Sequence, residues 1–171
     1  MKKILNITLI IMLLAWSYYC FASETQTNNI CSESPPSLIC FKQNFSQIYQ
    51  SNYDLFWDTY NVYKKKAETC DNLNMTADFL EVSSYIGGNA EVEEGFHEFC
   101  ENLILSKTKC FIEATLLLQD KTLDVFIKSY VSNSFFGQDE QINKAFIKYS
   151  HVKEYVRFFN IYNKYKKEKK T

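Results

Sequence analysis

Histidine, cysteine and carboxylate meet at useful spacing in one place in this chain, Glu93-Glu94-x2-His97-x2-Cys100. On a helix, His97 and Cys100 lie three residues apart on one face, with a carboxylate one turn back. Imidazole nitrogen, thiolate and carboxylate are the atoms zinc takes, and the same groups make a nucleophile, its base and the acid that orients it. Zinc needs more ligands at fixed spacing, and no second pair of His or Cys supplies them. The expected reading is a disulfide at Cys100 and a surface histidine at His97. His151 is the other histidine, and no Gly-x-Ser-x-Gly, His-Glu-x-x-His or Cys-His signature surrounds either. Gly87-Gly88 lacks the lysine and flanking pattern of a phosphate loop. Glu91, Glu93, Glu94, Glu98 and Glu101 recur at helical spacing, which reads as a solvated face, because calcium needs oxygens converging from a sharply turned backbone. No catalysis, cofactor or metal is therefore expected.

Binding chemistry is better represented. Charge is nearly balanced, with 19 Lys and Arg against 20 Asp and Glu, but it is segregated. Lys164, Lys166, Lys167, Lys169 and Lys170 form a basic tail over residues 164–171 on an acidic body, a candidate surface for anionic glycans or membranes or simply a solvated helix end. Nucleic acid does not fit this balance. Asn74-Met75-Thr76 and Asn44-Phe45-Ser46 are glycan acceptor sequons, Asn74 in an expected turn and Asn44 within an expected helix. The chain holds 14 Phe and 12 Tyr, enough to fill a core or to line a cavity for a small apolar ligand such as a lipid.

The elements that must position these residues are helices. Only four glycines and two prolines are present, too few for the many turns of a sandwich or barrel. From Asn89 to Gln119, apolar residues at Val92, Phe96, Phe99, Leu103, Phe111, Ala114 and Leu118 follow three-and-four spacing, predicting a central helix with Asn89 at its start and Gly87-Gly88 ending what precedes it. Leu38 to Tyr63 predicts one long helix or two joined near Ser51-Asn52. Thr76 is expected to cap a short helix, Ala77 to Ile86. Another helix starts at Asp120, breaks across 133–137, and a last one runs from Asp139 into the lysine tail. The prediction is an all-α, disulfide-stapled bundle of five to six helices.

Met1-Lys2-Lys3 followed by apolar residues through Trp16 reads as a secretory signal of residues 1–22, with cleavage after Ala22 favoured over Ser17. A single domain over 23–163 is then expected, secreted, extracellular and without a transmembrane anchor. Cleavage after Ala22 leaves Cys31, Cys40, Cys70, Cys100 and Cys110 as disulfide candidates, an odd set. Ten residues of unbroken helix would part Cys100 from Cys110 by about 15 Å, too far to bridge unless the helix breaks at Ser106 to Lys109. If residues 37–65 are one helix, Cys40 and Cys70 cannot meet. Cys70 would then reach Cys100 or Cys110, and Cys31 and Cys40 would pair locally or take the remaining partner.

The pattern Cys31-x8-Cys40, Cys70-Asp71-Asn72-Leu73 and Phe99-Cys100-Glu101-Asn102-Leu103 with Cys110 following resembles a family of secreted nematode cysteine-rich domains of unknown function. It is also loosely similar to domains of nematode chondroitin proteoglycans, although no Ser-Gly pair offers a glycosaminoglycan site. The resemblance covers roughly residues 31–118 and implies a fold and a compartment, with no catalytic residue. Together these features predict a non-catalytic binding domain for an extracellular protein or glycan, or alternatively a helical carrier of a small apolar ligand.

Overall fold

A computed structural model describes residues 31–132 and 138–169. The expected signal peptide, the break at 133–137 and Lys170 lie outside the described residues. Among those described, the chain forms eight α-helices and no strand. It divides into two compact units, one ending at Phe56 and the other beginning at Trp57.

In the first unit, Ser37 caps α1 (Leu38–Gln43), its hydroxyl accepting from the Cys40 amide at 3.4 Å. The stretch read as one long helix or two joined near Ser51-Asn52 is three helices: the join near Asn52 is present, and a further break falls at Asn44, because asparagine side chains compete for the backbone at both positions. Asn44, with φ −115°, separates α1 from α2 (Phe45–Ser51), and its Nδ2 donates to the Cys40 carbonyl at 3.0 Å. Asn52, with φ −150°, separates α2 from α3 (Tyr53–Thr69), and its Oδ1 accepts from the Leu55 amide at 3.1 Å. Cys31 bridges to Cys40 across Pro35-Pro36, one of the arrangements that the spacing left open. The rings of Phe41, Phe45 and Phe56 meet at 4.9–5.2 Å, two of the three pairs edge-to-face or nearly so.

The second unit is built on α5 (Ala90–Leu116), with Asn89 as its cap, accepting from the Val92 amide at 3.3 Å. The left-handed turn expected before it is present, with φ +59° at Gly87 and +81° at Gly88. The helix kinks at Lys107, where φ is −142° and ψ 52°, inside the polar run Ser106 to Lys109. The kink releases Lys107 to donate to the carbonyls of Glu68 at 2.9 Å and Thr69 at 2.6 Å, closing the C-terminal end of α3. Thr76 completes that end. It is fully buried, and its hydroxyl donates to the Ala67 carbonyl at 3.1 Å. Its expected capping role passes to Asn72, whose side chain accepts from Asn74 and Met75 at the start of α4 (Leu73–Leu80), followed by a 3-10 turn over Glu81–Ser84. Cys70 adopts φ +57° just past α3 and bridges to Cys110, one turn beyond the kink.

α6 (Asp120–Ser132) and α8 (Val156–Glu168) pack along each other, and α5 contacts both along with α7 (Asp139–Ile147). The expected single last helix ends at Ile147, whose carbonyl is taken by the Ser150 hydroxyl at 2.9 Å and the Ser150 amide at 3.3 Å. Phe79, Phe99, Phe96, Phe126, Phe111, Phe158 and Phe146 then form a chain of ring contacts through the unit, at 4.9–6.2 Å. Each fully buried phenylalanine contributes roughly 2–3 kcal/mol of apolar transfer. The aromatic content therefore fills a core.

Arg157, the chain's one arginine, reaches from α8 to the end of α5, donating to the carbonyls of Leu116 at 3.3 Å and Leu118 at 3.4 Å and pairing with Asp120 at the start of α6. Cations suit a helix C-terminus. Because the arginine is 42% exposed, solvent discounts the ion pair, and Arg157→Ala is expected to cost about 1 kcal/mol in a urea melt.

Candidate functional site

Of the residues whose types could do chemistry, His97 and Cys100 are buried in the second unit. His97, expected at the surface, is 3% exposed, and its ring stacks on that of Tyr130 with centroids 5.7 Å apart. Burial pushes its pKa down to about 4, so it is a neutral imidazole at physiological pH. Cys100, counted among the disulfide candidates, is instead a fully buried thiol facing the core, while the kink turns Cys110 toward Cys70. Burial, then the nearby Glu101 charge, raises its pKa well above the ordinary thiol value. A thiol so held is neither a metal ligand nor a nucleophile at neutral pH. Cys100 is accordingly expected to resist iodoacetamide in the native protein and to react fully once denatured without reduction, as read by peptide mapping. Native labelling would contradict its placement.

Among the described residues no three His, Cys, Asp or Glu gather as a metal site. His151 is exposed on the turn after α7. Of the acidic set read as a solvated face, Glu91, Glu94 and Glu98 are exposed and Glu93 is half-buried, but Glu101 is only 2% exposed. That reading fails for Glu101 because it continues the stripe of His97, Cys100 and Ile104.

Glu101 faces a pocket of about 400 Å³ formed where α5, α6, α7 and α8 come together. α6 contributes Tyr130 and Val131, α7 contributes Asp139, Ile142 and Asn143, and α8 contributes Tyr162 and Lys166, with Lys169 just beyond its end. One wall is fixed by hydrogen bonds. Asn143 Oδ1 accepts from the Tyr162 hydroxyl at 3.0 Å and from the Lys166 ammonium, which also lies 5.6 Å from the centre of the Tyr162 ring. Burial, followed by the Asp139 charge, pushes the Tyr162 phenol up to about 12. Tyr130 is also raised, by burial and then by negative neighbours that include Glu101 and Asp139. Both phenols therefore stay protonated, able to donate or accept a hydrogen bond.

The structure distributes the lysines of the basic tail. α8 continues through Glu168, with Tyr165 buried and its hydroxyl donating to Asp124 at 2.6 Å. Lys164 lies beside that pair, 3.7 Å from Asp124 and 3.1 Å from the Tyr165 hydroxyl. Lys166 and Lys169 turn to the pocket, and Lys167 is exposed. Of the sequon asparagines, Asn74 is exposed in the first turn of α4, whereas Asn44 is half-buried with its amide on the Cys40 carbonyl.

A second hollow, about 140 Å³, lies across Tyr130 from the first and is lined by Gly87, Gly88, Glu93, Phe96, His97 and Phe126 among others. A shallower groove of about 560 Å³ runs past the Cys70–Cys110 bridge, with Lys107, Lys109 and Lys148 along it. Neither is lined by a fully buried carboxylate such as Glu101. The spacing of His97, Cys100, Glu101 and Ile104, three and four apart, was the signal that Glu101 sits inside. The contributions of Asp139, Asn143 and Tyr162 required the helices to be assembled. Compared with known proteins, the chain matches no family model, no curated protein and no solved structure.

Proposed function

We propose that this chain is an exported, non-catalytic binding protein, and that it binds in the pocket between α5, α6, α7 and α8. The observation that carries this reading is a buried carboxylate, Glu101, opening onto a cavity of ligand size. Glu101 shares that cavity with the apolar and aromatic side chains of Val131, Ile142, Tyr130 and Tyr162, and an apolar wall with a few polar groups converging on it is the usual form of a small-molecule site. Two disulfides suit an oxidising compartment, and no described helix is long and apolar enough to cross a membrane. The neutral His97 and protonated Cys100, both sealed in the core, support binding over nucleophilic chemistry.

The mixture of charge and aromatic surface favours an amphipathic ligand over the wholly apolar one of a lipid carrier. A protein or glycan partner is the weaker reading, because, among the described lysines of the tail, Lys164 lies beside Asp124 while Lys166 and Lys169 line the pocket.

The test is the native mass of the protein recovered from the medium of secreting eukaryotic cells, measured again after denaturation without reduction. The expected result is a chain beginning at Ser23, glycan on Asn74, and a small increment lost on denaturation and absent from Val131→Trp, which plugs the pocket. Retention inside the cell would overturn export. Equal native and denatured masses would overturn the small-ligand reading and return the search to macromolecular partners.

A further inference from the structure

The charged and the neutral polar groups of the pocket between α5, α6, α7 and α8 stand in different positions. Among the described residues its lining carries two carboxylates, Glu101 and Asp139, and two ammoniums, Lys166 and Lys169, so its formal charges cancel. Glu101, Asp139 and Lys166 each have interactions of their own within the fold, and Lys169 is exposed to water. The neutral groups are less fully engaged. Tyr130 is only 9% exposed, yet its hydroxyl has no hydrogen-bond partner among the described residues. Its ring is held by stacking on His97 at 5.7 Å and on Phe126 at 6.3 Å, which fixes where the hydroxyl stands. The Asn143 amide is oriented by its neighbours: an ammonium only donates, so the atom that meets Lys166 is the oxygen, and the two Nδ2 hydrogens have no acceptor among the described residues. Tyr162 gives its one proton to the same oxygen at 3.0 Å, which leaves the phenol oxygen able to accept.

We propose that this pocket takes a small uncharged molecule bearing an amide on a flat apolar body, its carbonyl accepting from the Tyr130 hydroxyl and Asn143 Nδ2 and its N–H donating to the Tyr162 oxygen. The proposal rests on the pocket reading above and deepens it by naming the ligand class. Asn143 and Tyr162 are hydrogen-bonded to each other, so a donor and an acceptor stand near one another, as the C=O and N–H of an amide do. The carbonyl's second lone pair matches the Tyr130 hydroxyl. An ion of either sign would give up water to enter a lining whose own charges already cancel. A wholly apolar ligand would take water from the Tyr130 hydroxyl and the Asn143 amide and pair neither. Val131 and Ile142, both buried, and the faces of the tyrosines suit a ring.

Titration calorimetry at pH 7 tests this on the secreted protein, freed of ligand by denaturation, dialysis and refolding with its disulfides intact. The probes are four molecules of one shape: indole-3-acetamide, the anionic indole-3-acetate, the cationic indole-3-acetamidine and the apolar 3-isobutylindole. The acetamide is expected to bind about tenfold or more tighter than each of the other three, the factor that one well-made buried hydrogen bond supplies. Tyr130→Phe keeps the ring against His97 and removes only a hydroxyl that has no hydrogen-bond partner among the described residues, so the fold should survive it. It is expected to weaken the acetamide severalfold and to leave 3-isobutylindole unchanged. Binding of the anion, the cation or the apolar probe as tight as that of the acetamide overturns the amide assignment while the pocket reading stands, and so does a Tyr130→Phe variant that binds the acetamide as the parent does. Failure of all four to bind overturns the assignment too. The pocket reading falls with it only if the native and denatured masses of the secreted protein are also equal.

Discussion

A protein with both Cys70 and Cys110 replaced by serine is expected to melt on the order of 10 °C below the parent, a loss of roughly 4 kcal/mol. The bridge closes a loop of 40 residues, and cross-linking a loop of that length removes about that much chain entropy from the unfolded state. The Cys31–Cys40 bridge closes only nine, so its removal should cost about 2.6 kcal/mol by the same relation. Cys70 also holds φ +57°, a conformation that side chains adopt at a cost and glycine adopts freely. Cys70→Gly with Cys110→Ser should therefore recover part of what the double serine variant loses. The comparison is made by calorimetry on the parent and these three variants under non-reducing conditions. Equal losses for the long and short bridges would contradict the entropic account.

Acid is expected to weaken the fold through His97. Its pKa is near 4 in the folded chain and close to 6.5 when unfolded, so the unfolded chain binds the proton first as pH falls. The contribution of the neutral imidazole is whole above about pH 6.5 and is lost as pH falls from there to 4, some 3 kcal/mol in all and about 2.5 kcal/mol by pH 4.5. The groups around it are Tyr130 stacked on the ring, Glu93 beside the same small hollow, and Cys100 and Glu101 on its own helix. Burial sets the direction of its shift, toward the neutral imidazole. His97→Phe keeps a ring against Tyr130 and removes the titration. Its urea stability should consequently fall by about 2.5 kcal/mol less than the parent's between pH 7 and pH 4.5. Parallel losses in the two proteins would show that His97 is protonated in the native state or reaches water.

Much of this fold is written in its spacing. The apolar stripe from Val92 to Leu118, the Asn89 cap and the paired glycines before it specify α5, and the polar run Ser106 to Lys109 marks where it bends. The join near Asn52 was legible as one of two alternatives, whereas the divisions at Asn44 and Ser150 were harder to read, because both sit within unbroken apolar periodicity. Whether such a side chain takes a backbone carbonyl or amide from the helix depends on local geometry that the pattern does not record. Burial of charge was harder still. Glu101 follows four other glutamates, and Glu93 and Glu94 share its stripe one turn before His97, yet it alone of the five is fully buried. Its pocket joins four helices, and the partners it gathers from α6, α7 and α8 have no sequence relation to it.

The central claim, that the chain binds a small ligand in the pocket between α5, α6, α7 and α8, is tested most directly by backbone amide NMR of the protein as secreted, compared with the same protein freed of ligand by denaturation, dialysis and refolding with its disulfides intact. The account predicts shifts between the two preparations at Glu101, Val131, Ile142, Asn143 and Tyr162, all abolished in Val131→Trp. Still resonances at those positions, with shifts confined to Lys107, Lys109 and Lys148 along the disulfide groove, would contradict it.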